Sequence, residues 1–185
     1  MKKFFLPLIA FLLFFYVIST NNRVWAQDAM MDSVATPPAA VEYNLAYPGL
    51  LPDNPLHFLK AIRDKIVSIL INDPEKRAEF NLLTSDKRIN AAEFLSEKGE
   101  DALSVSTLSK SNNYLSDSIN AVIEAKKMNK NADTVLHNQD LAILKHLEVL
   151  AVIRKDVDKK YDQEVSIEEK RLKNMQKTVK KLEPK

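Results

Sequence analysis

From Asn54 onward the apolar positions of this chain follow the period of a helix. Leu56, Leu59, Ile62, Ile66 and Ile69 recur every three or four residues, the spacing that lines side chains along one helical face. Asn54 is a good N-cap, and Pro55 suits the first helical position, where its missing N–H costs nothing. The pattern therefore predicts a first helix ending near Ile71. Asn72, Asp73 and Pro74 repeat the device: Asn72 closes one helix, Asp73 caps the next and Pro74 is its first residue. So short a turn predicts an antiparallel hairpin.

The second helix runs from about Pro74 to Lys98, with Leu82, Ile89, Ala92, Phe94 and Leu95 as its apolar stripe. Gly99, one of two glycines in the chain, supplies the left-handed residue that commonly ends a helix. A third helix follows from about Asp101 to Met128, with Val105, Leu108, Leu115, Ile119 and Val122 in heptad-like, coiled-coil spacing. Asn112 interrupts that seam, either to set register or to leave it open for a partner helix. Asn131 is placed to cap a fourth helix carrying Leu136, Ile143, Leu147, Leu150 and Val157. Leu141, Leu144 and Ile153 widen its apolar face, which predicts the most buried helix of the set. Ser166 and Glu169 read as a capping box that starts a fifth helix, with Leu172, Met175, Val179 and Leu182 spaced three, four and three apart. No strand-like alternation appears after residue 50. The predicted class is all-α: four to five long amphipathic helices packed as antiparallel hairpins in a helical bundle.

The chain before residue 54 reads differently. Lys2 and Lys3 precede an apolar run from Phe4 to Ile18, and Val24, Trp25 and Ala26 give a plausible cleavage site before Gln27. Residues 1–26 are thus expected to be a signal peptide. The alternative is a retained membrane anchor, although a run of roughly 15 residues covers only about 22 Å of a hydrocarbon core about 30 Å thick. Residues 27–46 lack periodicity, contain Pro37 and Pro38, and are expected to form a disordered linker. The helical domain is then 47–185. Its first residues concentrate Pro48, Gly49, Pro52, Asn54 and Pro55, a stiff corner that fixes where the linker ends, with Leu50 and Leu51 expected to tuck against the hairpin. A partner docking at this corner is the other reading.

Charge and cysteine content narrow the function classes. The formal net charge is +2, but Lys2, Lys3 and Arg23 all precede Ala26. Removing them leaves 24 basic against 25 acidic residues, so nothing points to nucleic acid as a partner. The chain has no cysteine, which excludes disulfide stapling and lipid attachment through cysteine. Packing must hold the fold together.

Candidate chemistry is sparse. Asp133, His137 and Asp140 share one helical face and offer a weak metal-ligand set, but no Glu-x-x-His or His-Glu-x-x-His occurs. His146, on an otherwise apolar helix, reads as a half-buried, hydrogen-bonded structural histidine. The serines of "DALSVSTLSKS" sit on no Gly-x-Ser-x-Gly elbow. Lys170, Arg171, Lys173, Lys177, Lys180 and Lys181 surround the last apolar stripe; they suit either a solvated outer face or contact with an anionic membrane or acidic polymer. No catalytic residue, metal ligand or cofactor site is expected.

Three stretches carry a resemblance: "YPGLLPDNPLHFLKAIRDKI", "DPEKRAEFNLLTSDKRINAA" and "LKHLEVLAVI". Over roughly residues 43–160 the chain resembles the bacterial family called domain of unknown function 5667. The most specific parts are Leu51, Pro52, Asp53, Pro55 and Leu56, then Asp73 to Lys76, then His146 to Leu150. The resemblance implies an envelope or extracellular location and an all-helical fold, and it brings no activity and no catalytic residues. The function expected is a non-enzymatic, secreted or envelope-facing module that binds or scaffolds a protein or envelope component, or associates with itself. The alternatives are a helical stalk tethered through residues 4–18 and, in a different class, a cryptic hydrolase or metalloprotein.

Overall fold

The computed structural model describes residues 41–183. The expected signal peptide, with Ala26 and Gln27, and most of the expected linker lie outside the described residues. Residues 40–185 make up one compact unit by themselves. Five α-helices follow in order: α1 His57–Leu70, α2 Pro74–Glu97, α3 Asp101–Lys127, α4 Asp133–Asp156 and α5 Asp162–Leu182, with a 3-10 turn at Lys159–Tyr161 leading into α5. The fold is all-helical, as the apolar periodicity predicts, and no strand occurs among the described residues.

The connections are built by short polar signals. Asp73 accepts from the N–H groups of Glu75 (2.9 Å) and Lys76 (3.4 Å), with Pro74 at the first helical position. At the other end of α2, Gly99 has φ +75°, and the N–H groups of Gly99 and Glu100 return to the carbonyls of Ser96 and Leu95. These two bonds are a Schellman motif. Asn129 (φ 55°) repeats it after α3, with Lys130 N–H reaching Ala125 O. A Cβ added at Gly99 would meet nothing within 4 Å, so only backbone strain opposes a substitution there. We expect Gly99→Ala to cost about 1 kcal/mol in urea unfolding. A cost near zero would show that the turn relaxes out of the left-handed region.

Two expected helix starts need correction. Asn54 and Pro55 do not begin α1. The Asn54 side chain accepts from Leu56 N–H (2.9 Å), and successive three-residue turns carry the chain to His57. The Asn side chain therefore closes a turn ahead of the helix, and Pro55 lies inside that turn. Ser166 is not a cap either. It lies one turn inside α5 and donates to the carbonyl of Asp162 (2.7 Å). The helix begins earlier because Asp158 first closes the 3-10 turn by accepting from Lys160 N–H. Asn131 accepts from Asp133 N–H (3.0 Å), one residue ahead of the assigned N-cap Ala132.

Helices α2 to α5 form a four-helix bundle. α2 neighbours α3 and α4, and α5 neighbours the same two, so α2 and α5 stand at opposite corners. Parallel neighbours are joined at matching heights. Asp86 and Ser96 of α2 meet His146 and Asp156 of α4, and Asn112 and Lys126 of α3 meet Glu168 and Leu182 of α5. The core is a continuous cluster that includes Leu82, Ile89, Leu108, Leu115, Leu136, Ile143, Leu150, Ile153, Leu172 and Val179.

α4, expected to be the most buried helix, is not. Nine of its residues are buried, against twelve in α2. The reason is the small residues of the α2–α3 seam. Ala78, Ser85 and Ala92 of α2, each seven apart, face Ser118, Ser111 and Ser104 of α3. Ser118 Oγ donates to Ala78 O (2.7 Å), Ser111 Oγ to Ser85 O (2.9 Å), Ser85 Oγ to Ser111 O (2.9 Å) and Ser104 Oγ to Ala92 O (2.7 Å). A seven-residue step is two helical turns, so each set stays on one face. Small side chains there let the two backbones approach closely.

Candidate docking face

α1 is assembled in the opposite sense from an ordinary amphipathic helix. It runs antiparallel to α2 and parallel to α3, but its polar residues face them. His57, Lys60 and Asp64 share a cleft with Thr84, Lys87, Arg88 and Thr107, and Ser68 lies beside Arg77 and Asn81. The apolar stripe faces away: Phe58 is 58% exposed, Leu59 55%, Ile62 51%, Ile66 54% and Leu70 71%, with Leu56 just ahead of the helix at 59%. The short turn predicts an antiparallel hairpin of amphipathic helices, but the structure turns this helix's apolar face outward rather than against α2. The inward side of the helix is occupied by groups that bond to the corner and the bundle, such as Lys60, whose Nζ donates to Pro48 O. Burial holds the Lys60 ammonium below its usual pKa range. Burial also lowers His57, reinforced by Arg88 and Lys60.

The corner itself is ordered but only partly buried. Pro48 is buried, Gly49 has φ +67°, Pro52 is half-buried, and Asn54 and Pro55 are exposed. Leu51 is half-buried, while Leu50 is exposed rather than tucked in. Upstream, the linker expected to be disordered through Ala46 is tied down from Val41. Val41 N–H donates to Glu148 Oε1 (2.9 Å), Asn90 Nδ2 donates to Ala46 O (3.2 Å), and Tyr43 and Leu45 pack against the core. We call residues 41–47 the strap.

Beneath the strap lies a polar group that sequence spacing does not reveal. Asp86 is 4% exposed and accepts from Tyr43 Oη (2.6 Å) on Oδ2, with His146 Nε2 at 2.9 Å from Oδ1. Facing a carboxylate, Nε2 carries the proton and donates. His146 is fully buried rather than half-buried, and its Nδ1 has no partner. Burial, helped by the bond to Asp86, raises the Tyr43 phenol far above its ordinary range. The group ties strap, α2 and α4 together.

The other candidates disperse. His137 is exposed, and Asp133 pairs with Lys126. Among the described residues no three His, Asp or Glu side chains converge as a metal set. Asn112 donates to Glu168 Oε2 (2.8 Å) and Glu168 O (3.2 Å), and Arg171 closes on the same carboxylate. Its seam is thus filled by α5 of the same chain, with no opening for a partner helix. On α5, Leu172 and Val179 are buried in the core, Lys173 pairs with Glu169, and Lys170, Lys177, Lys180 and Lys181 are exposed. Among the large apolar residues of α5 only Ile167, a turn before Lys170 and Arg171, is more than half exposed, so the cations of α5 surround no apolar stripe like that of α1. No helix among the described residues is long and apolar enough to cross a membrane.

No curated protein and no solved structure matches the chain. The family model described as Domain of unknown function (DUF5667) matches residues 49–181. That span starts inside the lead-in corner and runs almost to the end of α5, further than the resemblance read from the three sequence stretches. The chain belongs to the DUF5667 family.

Proposed function

We propose that this protein is a non-enzymatic, exported helical binding module that recognises its partner through the outward face of α1. The observation that carries this reading is the inverted helix. Six large apolar side chains stand more than half exposed on and just before one short helix. Apolar side chains grouped on one exposed face, unlike ones scattered singly, mark an interaction site. The rest of the unit is a closed bundle whose polar interior groups serve packing. Export rests on the charged and apolar segment before Gln27.

The test is fractionation of native cells carrying residues 40–185 exported behind a cleavable signal. The unit should co-purify with the cell envelope, and Ile62→Glu/Ile66→Glu should move it to the unbound fraction. Both residues are exposed, so the melting temperature should barely change. If the double variant distributes as the parent does, α1 is not the docking face. The stalk alternative, with residues 4–18 retained, is decided by the N-terminus of the native protein: Gln27 first means release, Met1 means tethering. The hydrolase or metalloprotein alternative has little support, because His146 is engaged by Asp86 inside the bundle and His137 stands apart on the surface.

A further inference from the structure

The α1 face rests on the docking role proposed above, and its surroundings point to one occupant. The cations around the face are on more than one helix. Arg63 projects from α1 itself, with its side chain 55% exposed. On the flank beside Phe58, a surface cleft brings Arg88 of α2 and Lys110 of α3 alongside Pro55, His57 and Ala61. Lys110 is exposed and has no ion-pair partner among the described residues. Arg88 stacks on the Tyr114 ring, 4.8 Å from its centroid, and its buried Nε has no hydrogen-bond partner. In the adjoining cleft, fully buried Thr107 holds an unpartnered hydroxyl among Lys60, Lys87 and Arg88. Nearby acids are few. Asp64 is held by Arg63, and at the far end Glu124 is held by Arg77, with Asp117 beside it.

We infer that α1 docks on an anionic phospholipid surface, its apolar face entering the acyl boundary while Arg88 and Lys110 on its flank meet the lipid phosphates. The orientation is that of a helix lying in a membrane interface: apolar side toward lipid, polar side toward the bundle and water. A second copy of this chain is the occupant the oligomeric state below tests; the cations on the flank beside Phe58 favour an anionic surface. Each cation within reach of an anionic leaflet strengthens binding by about fivefold.

Residues 40–185 hold the whole core among the described residues, so this unit is tested without the apolar run at 4–18. In co-sedimentation, it should bind vesicles of phosphatidylcholine with phosphatidylglycerol at least tenfold better than phosphatidylcholine alone, and lose that preference in high salt. Ile62→Glu/Ile66→Glu should abolish binding, and Lys110→Glu should weaken it about fivefold or more. Absence of vesicle binding, or equal binding to neutral vesicles, overturns the lipid assignment. So does a concentration-dependent dimer in sedimentation that the double variant abolishes, since a second copy then covers the face. If envelope association still depends on Ile62 and Ile66 while vesicles do not bind, the docking role stands and the occupant is not lipid.

Discussion

Asp86→Ala should lower the stability of the folded unit by about 3–5 kcal/mol, the usual cost of removing one partner from a buried, hydrogen-bonded charged group. Two donors lose their acceptor at once: the Tyr43 hydroxyl and His146 Nε2. His146 is fully enclosed, with its other ring nitrogen already unpartnered, so water cannot replace the carboxylate without opening the bundle. Urea unfolding should show the loss, and hydrogen exchange should show faster exchange at residues 41–46 as the strap detaches. Tyr43→Phe should cost only about 1 kcal/mol, because it removes one bond near the surface and leaves Asp86 paired with His146. The pH dependence separates the two further. The folded phenol is held above the ordinary tyrosine value of about 10, so its contribution is complete below that pH and is lost progressively above it, as the unfolded chain ionises first. That alkaline loss should be smaller in Tyr43→Phe than in the parent. If Asp86→Ala costs less than 1 kcal/mol, the group does not hold strap, α2 and α4 together.

The contrast between helices and contacts explains what was legible in the sequence. Helix positions were readable because their causes are local. Apolar spacing sets the faces, Asp73 and Pro74 start α2, and Gly99 stops it. Ser166 misled for the same reason. Its spacing from Glu169 fits a capping box, but Asp158 had already turned the chain into a 3-10 segment that feeds α5 directly. The direction a stripe faces is a different kind of fact. Leu59, Ile62 and Ile66 announce an amphipathic helix, yet only the placement of α2 and α3 decides that the polar side turns inward. Asp86 and His146 lie 60 residues apart, and no spacing rule links them. The strap carries no such signal, because Tyr43 and Leu45 are isolated apolar residues in a stretch without period. The small-residue seam was written plainly, at Ala78, Ser85 and Ala92 and again at Ser104, Ser111 and Ser118. A search for large apolar residues passes over serine, which counts as polar until its hydroxyl is seen bonding a backbone carbonyl.

That seam carries the second large effect. Ser111 is fully buried, and it both donates to and accepts from the Ser85 position across the helix pair, at 2.9 Å in each direction. The bonds can form because nothing larger than a hydroxymethyl separates the two backbones there. Ser111→Leu should therefore destabilise by about 4 kcal/mol: about 3 from forcing extra carbons into a filled contact and about 1 from the lost hydrogen bond. Ser111→Ala, which keeps the helices close and loses only the bond, should cost about 1 kcal/mol. The comparison is diagnostic, because an ordinary core position shows the opposite order, with the larger apolar residue favoured over alanine. The strain should also spread along the seam, since Gln139 of α4 donates to Ser118 (2.8 Å), which in turn donates to Ala78 O. Splaying α2 from α3 at Ser111 pulls on that chain two turns away, so amide exchange near Ser118 should rise in Ser111→Leu and stay unchanged in Ser111→Ala. Equal stability of the two variants would mean that the helices have slack at this level and that the seven-residue repeat of small side chains does not set their separation.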